Sequence, residues 1–313
     1  MSTNRASRIG STLMAVLIAF EIAEGNADAF CRRRTCGALC ALDAERCPIG
    51  GEPLRWPSSR LSFALHSNIG EVKGRPAEVY AAIRTAIHVW SDTECPLSSG
   101  GSARTSLRFR ELDREDFPIN AISSKGDDYK LRNVILFRSG GWPYGAGDDE
   151  SEADTIASAK ARFDSKTGLI RSQQIELNEA GYEFRLPDQT FAQSTSERAV
   201  DLVTVVTHEV GHFIGLAHSL ESDSIMAARY CEQESRCQRP PTEARRLAGD
   251  DVIGLCSLFP PGQPSTEPEA DTPVPKDGCS TSPSNGATGL AWYGSFVGLG
   301  LVLFRRRLSK QRK

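Results

Sequence analysis

The residues best suited to chemistry are three histidines and a glutamate in one short stretch. His208 and His212 stand four positions apart among apolar residues at helical spacing, so both imidazoles are predicted to project from one helix face. Glu209 follows the first histidine, off the line of the ligands but close to a water on a shared metal. Gly215 can adopt the left-handed conformation that ends a helix, and the turn would return His218 as a third ligand.

This pattern predicts a catalytic metal site. Three neutral imidazoles and a water in the fourth position are typical of catalytic zinc, whereas a structural site closes that position with another protein ligand. Glu209 is then the natural general base for the water. The chain has five histidines, and three of them in this order make coincidence a poor explanation. One catalytic Zn²⁺ is the expected cofactor.

The stretch from His208 to His218 resembles the zinc signature of the metzincin peptidases. Ser219 and then Ser224-Ile225-Met226 resemble the matrixin branch of that family. The resemblance implies that Met226 is the supporting Met-turn residue, an apolar floor beneath the three imidazoles. It also implies a zinc endopeptidase that acts on a protein or peptide substrate.

The elements that must position these residues form an α+β pattern. A helix is predicted to begin near Pro76, because Val79, Ile83, Ile87 and Trp90 fall on one face. Alternating or continuous apolar runs predict strands at 61–65, 107–109, 134–137, 155–163 and 169–178. This order resembles a matrixin domain over residues 54–259, which implies a mixed twisted sheet, an active-site helix and a C-terminal helix at 247–255.

The predicted strand at 155–163 would border the cleft. Its alanines alternate with Ser158, Lys160 and Arg162, as in an exposed strand. By resemblance it is the edge strand, where an extended peptide could pair with free backbone groups. The alternative is an ordinary protected edge, for which Lys160 and Arg162 are typical residues.

Three other features receive a more ordinary interpretation. His66 and His88 are isolated and are expected to be packing or surface residues, and no histidine between His88 and His208 could serve the family's second, structural zinc site. Arg46-Cys47-Pro48 faintly resembles the matrixin cysteine switch, but the rest of that motif is missing. The acid-rich stretch at 140–154 is expected to be a solvated loop. A calcium site there lacks a fixed ligand spacing and is unsupported.

The N-terminus predicts export. Residues 1–29 combine Arg5 and Arg8, a short apolar run and a small-x-small cleavage site, so they are predicted to be a secretory signal peptide. Residues 30–53 then form a Cys-rich segment. Eight of the nine cysteines lie between residues 30 and 278, which is consistent with four disulfides of unreadable connectivity. The alternative is a second metal cluster formed by Cys31, Cys36, Cys40 and Cys47.

The C-terminus predicts a tether. Residues 260–278 are a Pro-rich linker, and residues 279–313 contain Cys279, an apolar run at 290–304 and an arginine cluster at 305–307. That order resembles the C-terminal sorting signals of myxobacterial surface proteins, while a permanent single-span membrane anchor is the alternative. The formal net charge is −3, and nothing indicates a nucleic-acid partner.

The sequence therefore predicts a secreted or surface-tethered zinc endopeptidase. A second hypothesis is a non-catalytic surface module that keeps zinc only for stability. Glu209 argues against it, because a structural site needs no base at that position. A third, a metal-dependent hydrolase of other substrates, has no sequence feature of its own.

Overall fold

A computed structural model describes residues 30–68, 74–119, 132–144, 155–189, 198–228 and 245–263. The predicted signal peptide, most of the linker and the predicted C-terminal signal lie outside these ranges, as do residues 145–154 of the acid-rich stretch and Cys231, Cys237 and Cys279. None of the helices in the described ranges is both long and apolar enough to span a bilayer.

The described residues form an α+β domain, as the sequence predicts. Its helices are α1 (Pro76–Ser91), α2 (Leu202–Ile214) and α3 (Gly249–Leu258). Its strands are β1 (Ala41–Leu42), β2 (Pro48–Ile49), β3 (Arg60–Leu65), β4 (Glu94–Pro96), β5 (Ser102–Arg104), β6 (Arg108–Glu111), β7 (Val134–Phe137), β8 (Ala157–Phe163), β9 (Ile170–Leu177), β10 (Glu183–Arg185) and β11 (Ala199–Asp201).

Five strands make one mixed sheet in the order β6-β3-β7-β9-β8. Neighbouring strands are parallel from β6 to β9, and β8 is antiparallel to β9 at the border. The five predicted strands are these five, and the edge position of β8 is confirmed. The expected exposure of β8 is wrong for its first half, because Ser158 is 3% exposed and is buried together with Ala157 and Ala159. Alternation with polar residues marks an exposed strand only where nothing packs on the polar face.

The helices α1 and α2 share the main apolar core with the sheet. The predicted face of α1 is buried, and at its end the Trp90 indole N–H donates to the Thr207 carbonyl of α2 at 2.8 Å. Asp201 caps α2, since its carboxylate accepts the Thr204 N–H at 2.8 Å and pairs with Arg245. Every residue of α2 is buried. Packing against α1 and the sheet, together with the Asp201 cap, therefore fixes the helix that carries His208 and His212.

Three disulfides lie in the described residues: Cys31–Cys47, Cys36–Cys40 and Cys95–Cys256. The first two disulfides use all four cysteines of the Cys-rich segment. The alternative of a metal cluster formed by these cysteines is therefore wrong. The resemblance of Arg46-Cys47-Pro48 to a cysteine switch also fails, because the Cys47 sulfur is bonded to Cys31. The third disulfide ties α3 to β4.

The Cys-rich segment is packed against the end of α2. The Arg33 amide donates to the Gly215 carbonyl at 2.9 Å, and the Ala217 amide donates to the Cys31 carbonyl at 2.8 Å. These bonds hold the chain where it leaves α2 and turns towards His218. The first residues of the segment thus form part of the framework of the histidine stretch.

Candidate metal centre

The three histidines converge at the C-terminal end of α2. His208 and His212 lie one turn apart, with 3.1 Å between their Nε2 atoms. Gly215 ends the helix at φ 113°, in the left-handed region that the sequence predicts. The turn returns His218, whose Nε2 lies 3.2 Å from that of His212. These three residues form a metal-capable group, with ligand atoms all within 4.8 Å of one another.

Backbone carbonyls set the tautomers of two rings. His208 Nδ1 lies 2.7 Å from the Ile225 carbonyl, and His212 Nδ1 lies 2.8 Å from the Leu216 carbonyl. A carbonyl can only accept, so each Nδ1 carries the proton and each Nε2 presents a lone pair to the centre. Burial lowers the pKa of His208 to about 4 and that of His218 to about 3, and it also lowers the pKa of His212 well below its ordinary value. All three rings are neutral near pH 7.

The donor set fits zinc. Ligand nitrogens about 2.0–2.1 Å from a tetrahedral Zn²⁺ are about 3.3 Å apart. The observed Nε2 separations of 3.1 and 3.2 Å are close to that edge. Converging lone pairs repel one another unless a cation lies between them, and neutral imidazole is a preferred zinc ligand. His208, His212 and His218 are therefore the residues that would hold the metal.

Glu209 is a buried carboxylate with one uncommitted oxygen. It is 2% exposed and accepts a hydrogen bond from the Ala159 amide of β8. Its Oε2 has no hydrogen-bond partner among the described residues. In the absence of a metal, burial raises the pKa of Glu209 to about 8, while the Arg33 guanidinium and the Ala159 amide oppose that rise; a cation held by the histidines would lower the pKa again and favour the carboxylate. An unpaired buried oxygen costs about 1–3 kcal/mol, so the site favours a ligand that can donate to it.

Met226 packs against α2 at Gly211, which lies between His208 and His212 in the sequence. A Cβ at position 211 would collide with Met226 Sδ and would also come within 2.9 Å of Trp90 Cζ2. Gly211, between the two helical ligands, is thus required for this close packing. Met226 is 2% exposed, and its carbonyl accepts the Ser219 amide at 2.9 Å. The methionine and the segment after His218 therefore support each other.

Asp251 is a supporting residue that sequence reasoning missed. Its carboxylate accepts hydrogen bonds from Ser224 Oγ at 2.5 Å and from the Ile225 amide at 2.8 Å. The Ile225 carbonyl in turn accepts from His208 Nδ1, so Asp251 is connected to His208 through one intervening residue. Desolvation raises the pKa of Asp251, and these hydrogen bonds oppose the rise. The sequence predicts that this residue lies in the C-terminal helix, but it contains no spacing signal for a supporting role.

A second set of missed residues lies at the C-terminal end of α2. Gln173 Nε2 donates to the His212 and Phe213 carbonyls at 2.8 and 2.9 Å, and Trp56 Nε1 donates to the Phe213 carbonyl at 2.7 Å. Arg33 also donates to the His212 carbonyl, at 3.1 Å. Helix ends leave carbonyls without intrahelical partners, and these side chains satisfy them.

The other two histidines lie outside the site. His66 is buried with its Nε2 2.8 Å from the Phe117 carbonyl, and His88 is exposed on α1. Within the described ranges the only group of three or more potential metal ligands is the histidine triad. The sequence predicts that His66 and His88 are packing or surface residues, and the buried position of the first and the exposed position of the second agree with that prediction.

Comparison with known proteins places this geometry in context. Residues 152–260 match the sequence model of the matrixin family. Macrophage metalloelastase of Oryctolagus cuniculus is 26% identical over 227 residues, which is 72% of this chain and 38% of that protein. Matrix metalloproteinase-C of Caenorhabditis elegans is 23% identical over 214 residues, or 68% of this chain and 30% of that protein.

A shorter match has higher identity. Metalloendoproteinase 1-MMP of Arabidopsis thaliana is 39% identical over 69 residues, which is 22% of this chain and 17% of that protein. The chain thus spans between 17% and 38% of the lengths of these relatives.

Proposed function

We propose that this chain, which matches the matrixin family over residues 152–260 and is similar to matrix metalloproteinases, is a zinc endopeptidase that hydrolyses internal peptide bonds of protein substrates. His208, His212 and His218 hold the zinc, and Glu209 is the general base. The observation that supports this most strongly is the convergence of three Nε2 atoms beside a buried carboxylate with one unpartnered oxygen.

Bound zinc supplies the Lewis acidity that polarises a scissile carbonyl and makes water nucleophilic near neutral pH. The residues of the chain transfer the proton and orient the base. Glu209 accepts a proton from the attacking water through its free Oε2 and returns it to the amine nitrogen as the C–N bond breaks. The Ala159 amide holds the other oxygen, so the base keeps one orientation. Met226 supports the helix turn beneath the ligands.

The edge strand β8 supports an extended peptide as the substrate. An edge leaves a row of backbone donors and acceptors for another strand to pair with. Residues from Lys160 to Phe163 are half-buried, whereas Ala157 to Ala159 are buried, so we infer that a peptide would pair with the second half of the strand. Disulfides are typical of oxidising compartments, which supports action outside the cytosol. Export through residues 1–29 and retention through residues 279–313 remain predictions from the sequence.

The test uses purified protein and an unfolded protein as substrate. Wild type should cleave it, and a chelator should stop the cleavage. Glu209→Gln should retain zinc and lose at least ~100-fold in kcat, because a positioned base contributes about 10²- to 10⁴-fold. The matched control is Glu221→Gln, an exposed glutamate after the third ligand, which should keep full activity. Zinc-loaded wild type that cuts nothing in a broad peptide library would favour the non-catalytic binding module.

A further inference from the structure

We propose that Arg33 of the Cys-rich segment is a positioning residue for this reaction: its guanidinium ties the edge-strand residue that holds Glu209 to the end of the helix that carries Glu209. The inference rests on the proposed function. It gives the Cys-rich segment a role in the rate of hydrolysis in addition to its role in packing.

The Arg33 guanidinium bridges three elements. One nitrogen donates to the His212 carbonyl at the end of α2 at 3.1 Å and to Gln173 Oε1 of β9 at 3.3 Å. The other terminal nitrogen donates to the Ala159 carbonyl of β8 at 3.2 Å. A planar guanidinium can span such acceptors at fixed angles, whereas an ammonium is a point donor on a flexible stem.

Ala159 connects this bridge to the base. Its amide donates to the Glu209 carboxylate, and its carbonyl accepts from Arg33. The amide and carbonyl of one strand residue leave the strand on the same side. Both groups of Ala159 therefore face α2 at the sheet border, and a shift of the strand at this residue would displace Glu209 directly.

The backbone fixes Arg33 before its side chain makes these contacts. The Arg33 amide donates to the Gly215 carbonyl at 2.9 Å, and the Leu54 amide donates to the Arg33 carbonyl at 2.7 Å. Two residues earlier, Cys31 is joined to Cys47 and its carbonyl accepts the Ala217 amide. Hydrogen bonds and a disulfide therefore fix the backbone from which the Arg33 side chain extends, as a preorganised support requires.

The charge of Arg33 suits the same position. The carbonyl end of a helix carries partial negative charge and favours a cation. Burial lowers the pKa of Arg33 to about 10, so it remains protonated at neutral pH, and the neighbouring Glu209 opposes that lowering. A buried cation beside Glu209 partly offsets the cost of burying the carboxylate.

Kinetics of the full chain separate positioning from packing. In Arg33→Met, the three histidines are untouched, so zinc content should be unchanged and KM should stay within about threefold. Misplacing a catalytic group by about 1 Å can cost 10²-fold, so we expect kcat to fall at least tenfold. The matched control is Arg34→Met in the same segment. Arg34 donates to the Gly51 carbonyl within that segment, and its loss should leave kcat unchanged.

Arg33→Lys provides a second test if Arg33→Met does not fold. It keeps the positive charge but cannot bridge the three acceptors, so it should fold, bind zinc and lose severalfold in kcat. A wild-type kcat in Arg33→Lys, or in a folded and zinc-loaded Arg33→Met, overturns the proposal.

Amide hydrogen exchange gives a measurement that does not depend on activity. Loss of Arg33 should speed exchange at the Ala159 amide, with and without zinc, while Arg34→Met should not. Unchanged protection at Ala159 would show that Arg33 does not hold this strand and would overturn the proposal. If wild type cleaves no substrate, the proposed function fails, and the exchange data still decide whether Arg33 fixes Ala159.

Discussion

Two regions meet at the turn around Gly215, and they are held together differently. The metal-ligand region, residues 208–226, relies on short connections: His212 Nδ1 is bonded to a carbonyl four residues away and His208 Nδ1 to one 17 residues away. The Cys-rich segment reaches the same place across 126 to 179 residues, through the contacts of Arg33. The first region carries the proposed ligands, and the second packs around those histidines and Glu209.

This difference implies different failures. Damage to the metal-ligand region should remove zinc, and activity would be lost with it. Damage to the Cys-rich segment should leave the ligand set intact and reduce the rate or the stability. Zinc affinity therefore separates variants of the two regions, and the expected loss of affinity decreases from the ligands to the Cys-rich segment.

The largest effect is expected from removing a ligand. His218→Ala leaves His208 and His212 on an intact helix but reduces the protein ligands from three to two. Zinc affinity should fall by at least ~100-fold, and proteolysis at limiting zinc should disappear. Titration with a chromophoric chelator measures the affinity, and His88→Ala on the exposed face of α1 is the control. Unchanged affinity in His218→Ala would remove this residue from the site.

The sequence could predict the parts that depend on local geometry. The spacing of His208 and His212, the turn at Gly215 and the five strands of the sheet each follow from periodicity or backbone preference within a few residues. Arg33, Gln173 and Asp251 carry no such signal, because each acts through a contact that the tertiary fold creates. The burial of Ser158 was missed for the same reason, since the packing of β8 is not encoded in its alternation.

An intermediate effect is expected at Asp251, which supports a ligand from outside the ligand set. Asp251→Ala removes the acceptor for Ser224 and Ile225 and loosens the carbonyl that orients His208. Loss of such a partner typically costs 10- to 100-fold in metal affinity, so zinc should bind more weakly without being abolished. The exposed Asp223 provides the control variant Asp223→Ala. Wild-type zinc affinity in folded Asp251→Ala would show that Asp251 is not needed to keep Ile225 and His208 in place.

The smallest effect on zinc is expected from opening the Cys-rich segment. The double variant Cys31→Ser/Cys47→Ser removes a bridge that spans 16 residues and flanks Arg33, and the chain-entropy model gives about 3 kcal/mol for a loop of this length. Zinc content should be unchanged, because the ligands and their carbonyl partners lie elsewhere. The rate should fall severalfold, because the segment around Arg33 then loses its covalent restraint and keeps its backbone hydrogen bonds, among them those to Gly215 and Leu54.

The neighbouring disulfide provides a matched control for that variant. Cys36–Cys40 spans four residues in the same segment, and the same model gives about 2 kcal/mol for it. Cys36→Ser/Cys40→Ser should therefore lower the free energy of unfolding slightly less and leave kcat near wild type, since its loop does not contain Arg33. Thermal unfolding and single-substrate kinetics measure the two quantities. Equal losses of kcat in both double variants would mean that the segment acts through general stability. Zinc loss in either would mean that its disulfide is needed to keep the three histidines in place.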